Sequence, residues 1–429
     1  MSDQPEFVPN DGSSDDEGPN PVFHPTAHTG IRDELNELLD VVGPGQLGEV
    51  VLDRAFSLNA TDVHFEPTGN GLRIRMRVDG LLHDLAKLPN SAAAQLISRF
   101  KVMAGMDIAE RRLAQEGHLT YVFRNVVRDV RLGSGPTVYG ERIILRLQPD
   151  PRQFHGLDDL GLDERDTTAL KHCLACPHGL ILVVGPVGSG KSTSVYSFVH
   201  ELNNPHKSIV TIEDPVERRV ADICQIQVDP KIGFEFASAL RCVLRQDPDI
   251  MMVGEIRDAE TAQIACRSAL TGVLVLSTLH ASTSAAAIDV LKNFGVPSPI
   301  LANCLRGIVS QRLVLQVCPK HREEYQPSEA DCRILNIDPG EANRHTLVRG
   351  IPHDDNFHSG YFGRVGIYEV MEVHRELQNA ILRNAPANEL TEIAVRLGMP
   401  TLTDAARKKV MDKVTSIDQF HATALSLED

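Results

Sequence analysis

Residues 179–193 read GLILVVGPVGSGKST, an apolar run that stops at Gly185 and gives way to a glycine-rich turn ending in Lys191-Ser192-Thr193. The run has the length of a buried strand, and helical spacing follows Lys191. Gly185, Pro186, Val187, Gly188, Ser189, Gly190, Lys191 and Ser192 satisfy G-x-x-x-x-G-K-[ST] in the strand-to-helix setting that gives this pattern its physical meaning. Glycines let backbone amides close around phosphate oxygens, and the positive end of the following helix points at them. Lys191 is placed to reach the β- and γ-phosphates of a nucleotide, and the Ser192 hydroxyl to ligate Mg²⁺, with Thr193 opening the helix behind them.

Three further apolar runs follow at 209–212, 250–253 and 273–276, separated by segments of helical periodicity. Strands alternating with helices predict a parallel sheet with helices on both faces, whose ligands bind at the carboxyl ends of the strands. Each run ends in polar chemistry. The second leads into Thr211-Ile212-Glu213-Asp214-Pro215-Val216-Glu217, where the adjacent carboxylates Glu213 and Asp214 could hold Mg²⁺ through water or orient an attacking water. A solvated acidic turn is the plainer alternative. The third ends in Gly254-Glu255. An acid at the tip of an apolar strand belongs beside metal and water, and with glycine in place of a preceding Asp, Glu255 reads as the water-activating base. The fourth leads to His280, placed to hydrogen-bond a γ-phosphate or to serve as a structural histidine.

The rest of the chain bounds the function. At 429 residues, two or three domains are expected. Hydrophobic residues make up 42% and mean hydropathy is -0.15, as in soluble globular proteins. No apolar run approaches the roughly 18 residues that span a bilayer, and the start lacks a signal-peptide pattern, so a cytoplasmic location is expected. Eight scattered cysteines form no disulfide framework. Cys173-Leu174-Ala175-Cys176 has no second pair nearby and reads as buried helix cysteines. Net charge is -15, and the first 40 residues hold ten acids against one arginine. The acidity is largely a tail property, and the lack of a broad basic face argues against a dedicated nucleic-acid binder.

Residues 1–30 read as a disordered acidic tail. Residues 31–147 read as a small α+β domain: helical spacing from Ile31 to Phe56, a hairpin over 62–66 and 72–78 around Gly69-Asn70-Gly71, a helix over 92–106, and strands at 119–123 and 142–147. Residues 148–155 read as a linker, 156–429 as the nucleotide-binding domain, and 376–429 as its helical end.

The succession GPVGSGKST, TIEDPVE, LRQDPDIMMVGEIRD and TGVLVLSTLHAST resembles the type II secretion and type IV pilus assembly ATPases. The segments ATDVHFEP at 60–67, RVDG at 77–80, AERR at 109–112 and PTVYGER at 136–142 are similar to that family's amino-terminal domain, so the likeness covers about residues 45–425. It implies a RecA-like P-loop ATPase domain preceded by a smaller α+β domain, with ATP and Mg²⁺ as ligands. It also implies a homo-hexamer peripheral at the cytoplasmic membrane face, an inner-membrane platform protein as partner, and no direct nucleic acid. By matching position, Arg131 and Arg146 complete the nucleotide site from the amino-terminal domain, while Arg241, Arg245 and Arg257 are candidates for contacts between subunits. Competing readings are a retraction or DNA-uptake motor of the same superfamily, a catalytically idle nucleotide-sensing scaffold, and a nucleic-acid translocase.

The chain departs from the family at several places. Relatives carry paired C-x-x-C motifs that bind zinc; here the first reads Cys318-Pro319-Lys320-His321 and the second falls on His353 and Asn356, within an insertion at 316–365. Cys318, His321 and His353 could supply three ligands of a tetrahedral site, with Asp354, Asp355 or His358 as a fourth, or the site could be degenerate and metal-free. Val273 stands where the fourth segment usually opens with His, and Val187 where Thr is commoner; neither removes a phosphate or metal ligand. The long amino-terminal module by which relatives dock on a membrane partner is expected to be missing.

Overall fold

A computed structural model describes residues 44–148 and 156–428. The acidic tail, the helical pattern expected from Ile31 to residue 43 and most of the expected linker lie outside these residues.

The amino-terminal part contains α1 (Pro44–Ser57), β1 (Asp62–Thr68), β2 (Gly71–Val78), β3 (Leu81–Leu88), α2 (Asn90–Met103), β4 (Gln115–Phe123), β5 (Val126–Thr137) and β6 (Gly140–Leu147). The strands form one antiparallel sheet in the order β3-β2-β1-β6-β5-β4. The alternation of β2 decides its faces: Leu72, Ile74, Met76 and Val78 are buried under α1 and α2, while Arg73, Arg75 and Arg77 point the other way. The polar face carries a cross-strand row in which Arg77 and Arg146 flank Asp62, Arg131 lies beside Arg146, and His118 beside Arg131.

The second part contains α3 (Glu164–Leu174), β7 (Gly179–Val184), α4 (Lys191–Leu202), β8 (Ile209–Glu213), β9 (Cys224–Gln227), α5 (Phe236–Val243), β10 (Ile250–Val253), α6 (Ala259–Leu270), β11 (Leu274–Leu279), α7 (Ser284–Asn293) and α8 (Ser298–Cys304). It continues through β12 (Leu305–Val317), β13 (Arg322–Tyr325), α9 (Glu329–Leu335), β14 (Leu347–Gly350), β15 (Tyr361–Glu372), α10 (Arg375–Leu382), α11 (Ala387–Arg396), α12 (Leu402–Met411) and α13 (Ile417–Glu428). A seven-stranded sheet runs β15-β12-β7-β11-β10-β8-β9. The expected parallel sheet is present but longer: β9 extends one edge, and β12 and β15 extend the other, with β15 antiparallel. The central strands are apolar on both faces because both are covered. Leu180, Leu182 and Val184 pack toward α5, α6, α7 and α8, and Ile181 and Val183 pack toward α3 and α4.

Between β12 and β15 the chain makes an excursion holding β13, α9 and β14. This excursion and the start of β15 meet the amino-terminal sheet. Asp79 Oδ2 accepts the Gly363 backbone N–H at 2.7 Å, its Oδ1 lies 3.8 Å from Arg364 Nε, and His83 stacks on Phe357 at 4.4 Å. Among the described residues no helix is long and apolar enough to cross a membrane.

Candidate functional site

Parallel pairing sets the strand tips at one level. Val184 of β7 lies opposite Leu279 of β11, Val253 of β10 lies opposite Ile212 of β8 and Ser277 of β11, and the next residues in each strand therefore converge. These are Gly185, His280, Gly254-Glu255 and Glu213.

The phosphate loop needs its glycines. Gly185, Gly188 and Gly190 have φ of 154°, 78° and 89°, and a Cβ on Gly185 would stand 2.5 Å from the Gln311 carbonyl, one on Gly190 2.8 Å from the Gln311 amide nitrogen. Gln311 on β12 is thus the wall behind the loop, and its Oε1 accepts the Ser194 hydroxyl at 2.8 Å. Nothing in the residue pattern alone pointed to it. Lys191 Nζ donates to the carbonyls of Gly185 and Pro186 at 2.9 Å each, and burial pushes its pKa below the ordinary lysine value. The Ser189 hydroxyl is buried with no hydrogen-bond partner among the described residues, as a group aimed at phosphate oxygen would be. The loop, the start of α4 and these donors fit a nucleotide phosphate chain with its Mg²⁺. Val187 is 88% exposed and contributes only its backbone to such a site.

Glu255 is held rather than free. His280 Nε2 lies 2.9 Å from its Oε1, Arg257 Nε donates to its Oε2 at 2.8 Å, and its charge is felt at Lys191. Arg257 also reaches Asp214 at 3.6 Å, so this arginine, expected at a subunit boundary, ties two acids of its own chain together. Arg241 pairs with Glu260 on the next helix. The hydroxyls of Ser277 and Thr278 donate to the carbonyls of Val253 and Gly254 at 2.8 and 2.7 Å, fixing the tip on which Glu255 sits.

Glu213, expected to share metal work with Asp214, has its carboxylate committed to other partners. It is 3% exposed and accepts from the Tyr196 hydroxyl, from Thr211 Oγ1 at 2.6 Å and from Gln225 Nε2 at 3.1 Å. The carboxylate that reaches Ser192 is Glu217, whose Oε1 lies 3.5 Å from the Ser192 hydroxyl. Arg131 of the amino-terminal sheet is within electrostatic range of Glu217. Arg146, its cross-strand neighbour, bonds Asp62 at 3.2 Å and is 71% exposed. Glu217 was within the quoted second segment, but its position relative to Ser192 depends on how the turn after Asp214 folds.

Of the donor set named from the sequence, the insertion gathers His321, His353 and Asp355 but not Cys318. His321, His353 and Asp355 gather their donor atoms within 4.8 Å of one another, His321 bonding Asp355 at 2.9 Å, whereas buried Cys318 is not in that group. Asn356, at the position of an expected metal ligand, is fully buried and has its amide committed to the backbone: Oδ1 accepts the N–H of His353 and Gly360, and Nδ2 donates to Ile351. An amide so used is no metal ligand, and with Cys318 apart these residues do not fit the family's thiolate zinc site. Cys173 is buried and Cys176 half-buried on and just after α3.

A family model described as type II/IV secretion system protein matches residues 46–422. The type II secretion system protein E of Pseudomonas aeruginosa is 40% identical over 374 residues, 87% of this chain and 74% of that protein. The type IV pilus assembly ATPase PilB of Thermus thermophilus is 40% identical over 375 residues, again 87% of this chain but only 42% of the relative. Among solved structures, the ATPase DotB of Legionella pneumophila superposes with a TM-score of 0.66 at 22% identity, covering 88% of this chain and 95% of that one. The ADP-bound pilus retraction motor PilT superposes with a TM-score of 0.59 at 24% identity, covering 87% and 95%. These two likenesses speak to the fold, a RecA-like ATPase domain preceded by a smaller domain. On the family match and the 40% identities, the chain belongs to the type II/IV secretion system protein family.

Proposed function

We propose that this chain is a motor ATPase that hydrolyses ATP to drive assembly of a secretion pseudopilus or type IV pilus. It works as a homo-hexamer against an inner-membrane platform protein, bound peripherally at the cytoplasmic membrane face. The observation that carries the reading is Glu255, fixed between His280 and Arg257 beside the phosphate-loop lysine.

In this reading the loop amides and Lys191 bind the β- and γ-phosphates. Mg²⁺, held by Ser192 with Glu217 and Asp214 nearby, would neutralise charge on the phosphates. Glu255 accepts the proton of the attacking water, and its hydrogen bonds to His280 and Arg257 keep the accepting carboxylate aimed. His280 is positioned to sense whether the γ-phosphate is present. Arg131, and Arg146 when its bond to Asp62 opens, supply cations from the amino-terminal domain. Glu213 orders the turn after β8 rather than binding the metal.

Steady-state phosphate release measured alone, with duplex DNA and with anionic phospholipid vesicles tests the reading. Turnover that rises with vesicles and is indifferent to DNA is expected. A folded hexamer with no turnover under any of these conditions would defeat the motor, and stimulation by DNA alone would point to a translocase.

A further inference from the structure

We propose that Tyr196 is a positioning residue that pins the turn 214–218 to the helix carrying Ser192 and thereby sets how strongly Mg²⁺ tightens nucleotide binding. This rests on the reading of Ser192 and Glu217 as the metal-facing pair.

Ser192 and Tyr196 lie four residues apart on α4 and so share a face, one turn from each other. Tyr196 is 1% exposed. A phenol offers one donor and two acceptor positions, and all three are used here. The hydroxyl donates to Glu213 and accepts the backbone N–H groups of Glu217 at 3.3 Å and Arg218 at 3.1 Å. Burial first, and the Glu213 charge second, push the Tyr196 pKa upward, so the phenol keeps its proton at any working pH. The other arm of Glu213 reaches Gln225, which accepts the Val220 N–H at 2.8 Å and donates to the Arg218 carbonyl at 2.8 Å. The Arg218 guanidinium lies 5.9 Å above the Tyr196 ring. Glu217, Arg218 and Val220 are thus tied through Tyr196 and Gln225 to one buried carboxylate, and the tie nearest the site is a hydroxyl on the helix of Ser192. The Glu217 side chain emerges from the pinned backbone with its carboxylate at Ser192. Tyr196 itself touches none of the phosphate-loop residues through these bonds, so its removal should act on the metal-facing carboxylate and spare the phosphate cradle.

The experiment measures ADP binding by calorimetry on the full chain, with and without Mg²⁺, for the wild type, Tyr196→Phe and Glu217→Gln. For Tyr196→Phe, metal-free affinity should stay within about twofold of wild type while the tightening by Mg²⁺ shrinks by about 10-fold or more, the size typical of lost outer partners of metal ligands. Glu217→Gln should lose the same tightening. Should Glu217→Gln keep the full Mg²⁺ effect, the metal-facing reading of Glu217 fails and the proposal with it. A loss in Glu217→Gln with none in Tyr196→Phe overturns the role of Tyr196 alone, as does an equal loss with and without metal in Tyr196→Phe. If Tyr196→Phe does not fold because Glu213 is left charged and short of a donor, the pair Tyr196→Phe with Glu213→Gln removes that charge, and the same outcomes apply.

Discussion

Two glutamates end neighbouring strands of one sheet and live in different chemistry. Glu213 at the tip of β8 is 3% exposed and surrounded by neutral donors, a phenol, a threonine hydroxyl and a glutamine amide. Glu255, just past the tip of β10, keeps a solvent-facing edge, with a side chain 17% exposed, and meets a histidine and an arginine. Neutral donors that come from the backbone-ordering interior turn a carboxylate into a structural node. A titratable partner and an open edge leave one able to take a proton from water.

The largest effect should separate the two. Glu255→Gln keeps the shape and the hydrogen bond from Arg257 but removes the base, so turnover should fall by about 10²- to 10⁴-fold, the usual worth of a positioned general base. Nucleotide affinity should hold. Single-turnover phosphate release with parallel ADP binding checks both, and a variant with near-normal turnover would strip Glu255 of its role.

Glu213→Gln should behave differently. The amide cannot accept from all three donors at once, and a buried donor left unmatched costs about 1–3 kcal/mol. At about 2–4 °C per kcal/mol for a domain of this size, the thermal midpoint should drop by several degrees. Turnover at temperatures below the transition should fall far less than in Glu255→Gln. A Glu213→Gln enzyme as stable as wild type and as inactive as Glu255→Gln would make Glu213 a catalytic acid after all.

What the sequence could and could not reveal follows from the range of the interactions. The phosphate loop, the tips of the strands and the hairpin of β1 and β2 are written in local pattern: glycine spacing, apolar runs and alternation. Glu255 lies two residues past β10 and His280 one past β11, so strand pairing alone brings them together. The position of Glu217 depends on Tyr196, 21 residues earlier, and that of Gln311 on β12 pairing with β7, contacts that no local pattern encodes. β15 escaped for a related reason. It joins the sheet antiparallel after an excursion of some forty residues, which hides its partnership with β12 from any reading of alternating strands and helices. The insertion was read from cysteine spacing, and it misplaced Cys318 because proximity in sequence to His321 does not set which way a buried side chain faces.

The smallest effect on turnover comes from a third buried carboxylate, which completes the comparison by lacking what Glu213 has. Asp166 on α3 is 3% exposed, and among the described residues its Oδ1 has no hydrogen-bond donor and the cation paired with it, Arg165, stands 3.8 Å away. Burial, with the neighbouring Asp163 charge second, raises its pKa from 3.8 to about 7. The folded chain therefore binds at Asp166 a proton that the unfolded chain has lost across that window, and the contribution of Asp166 to folding stability falls as pH rises from about 4 to about 7. Asparagine mimics the protonated acid without titrating. Asp166→Asn should match wild type near pH 4, gain on it as pH rises, and level off above pH 7 at an advantage on the order of 4 kcal/mol, about 1.4 kcal/mol for each unit between 3.8 and about 7. Thermal unfolding across pH 4 to 8 reads the gap directly. A gap that is flat with pH, or that closes as pH rises, would mean Asp166 finds in the folded chain the donor that Glu213 has and Oδ1 lacks.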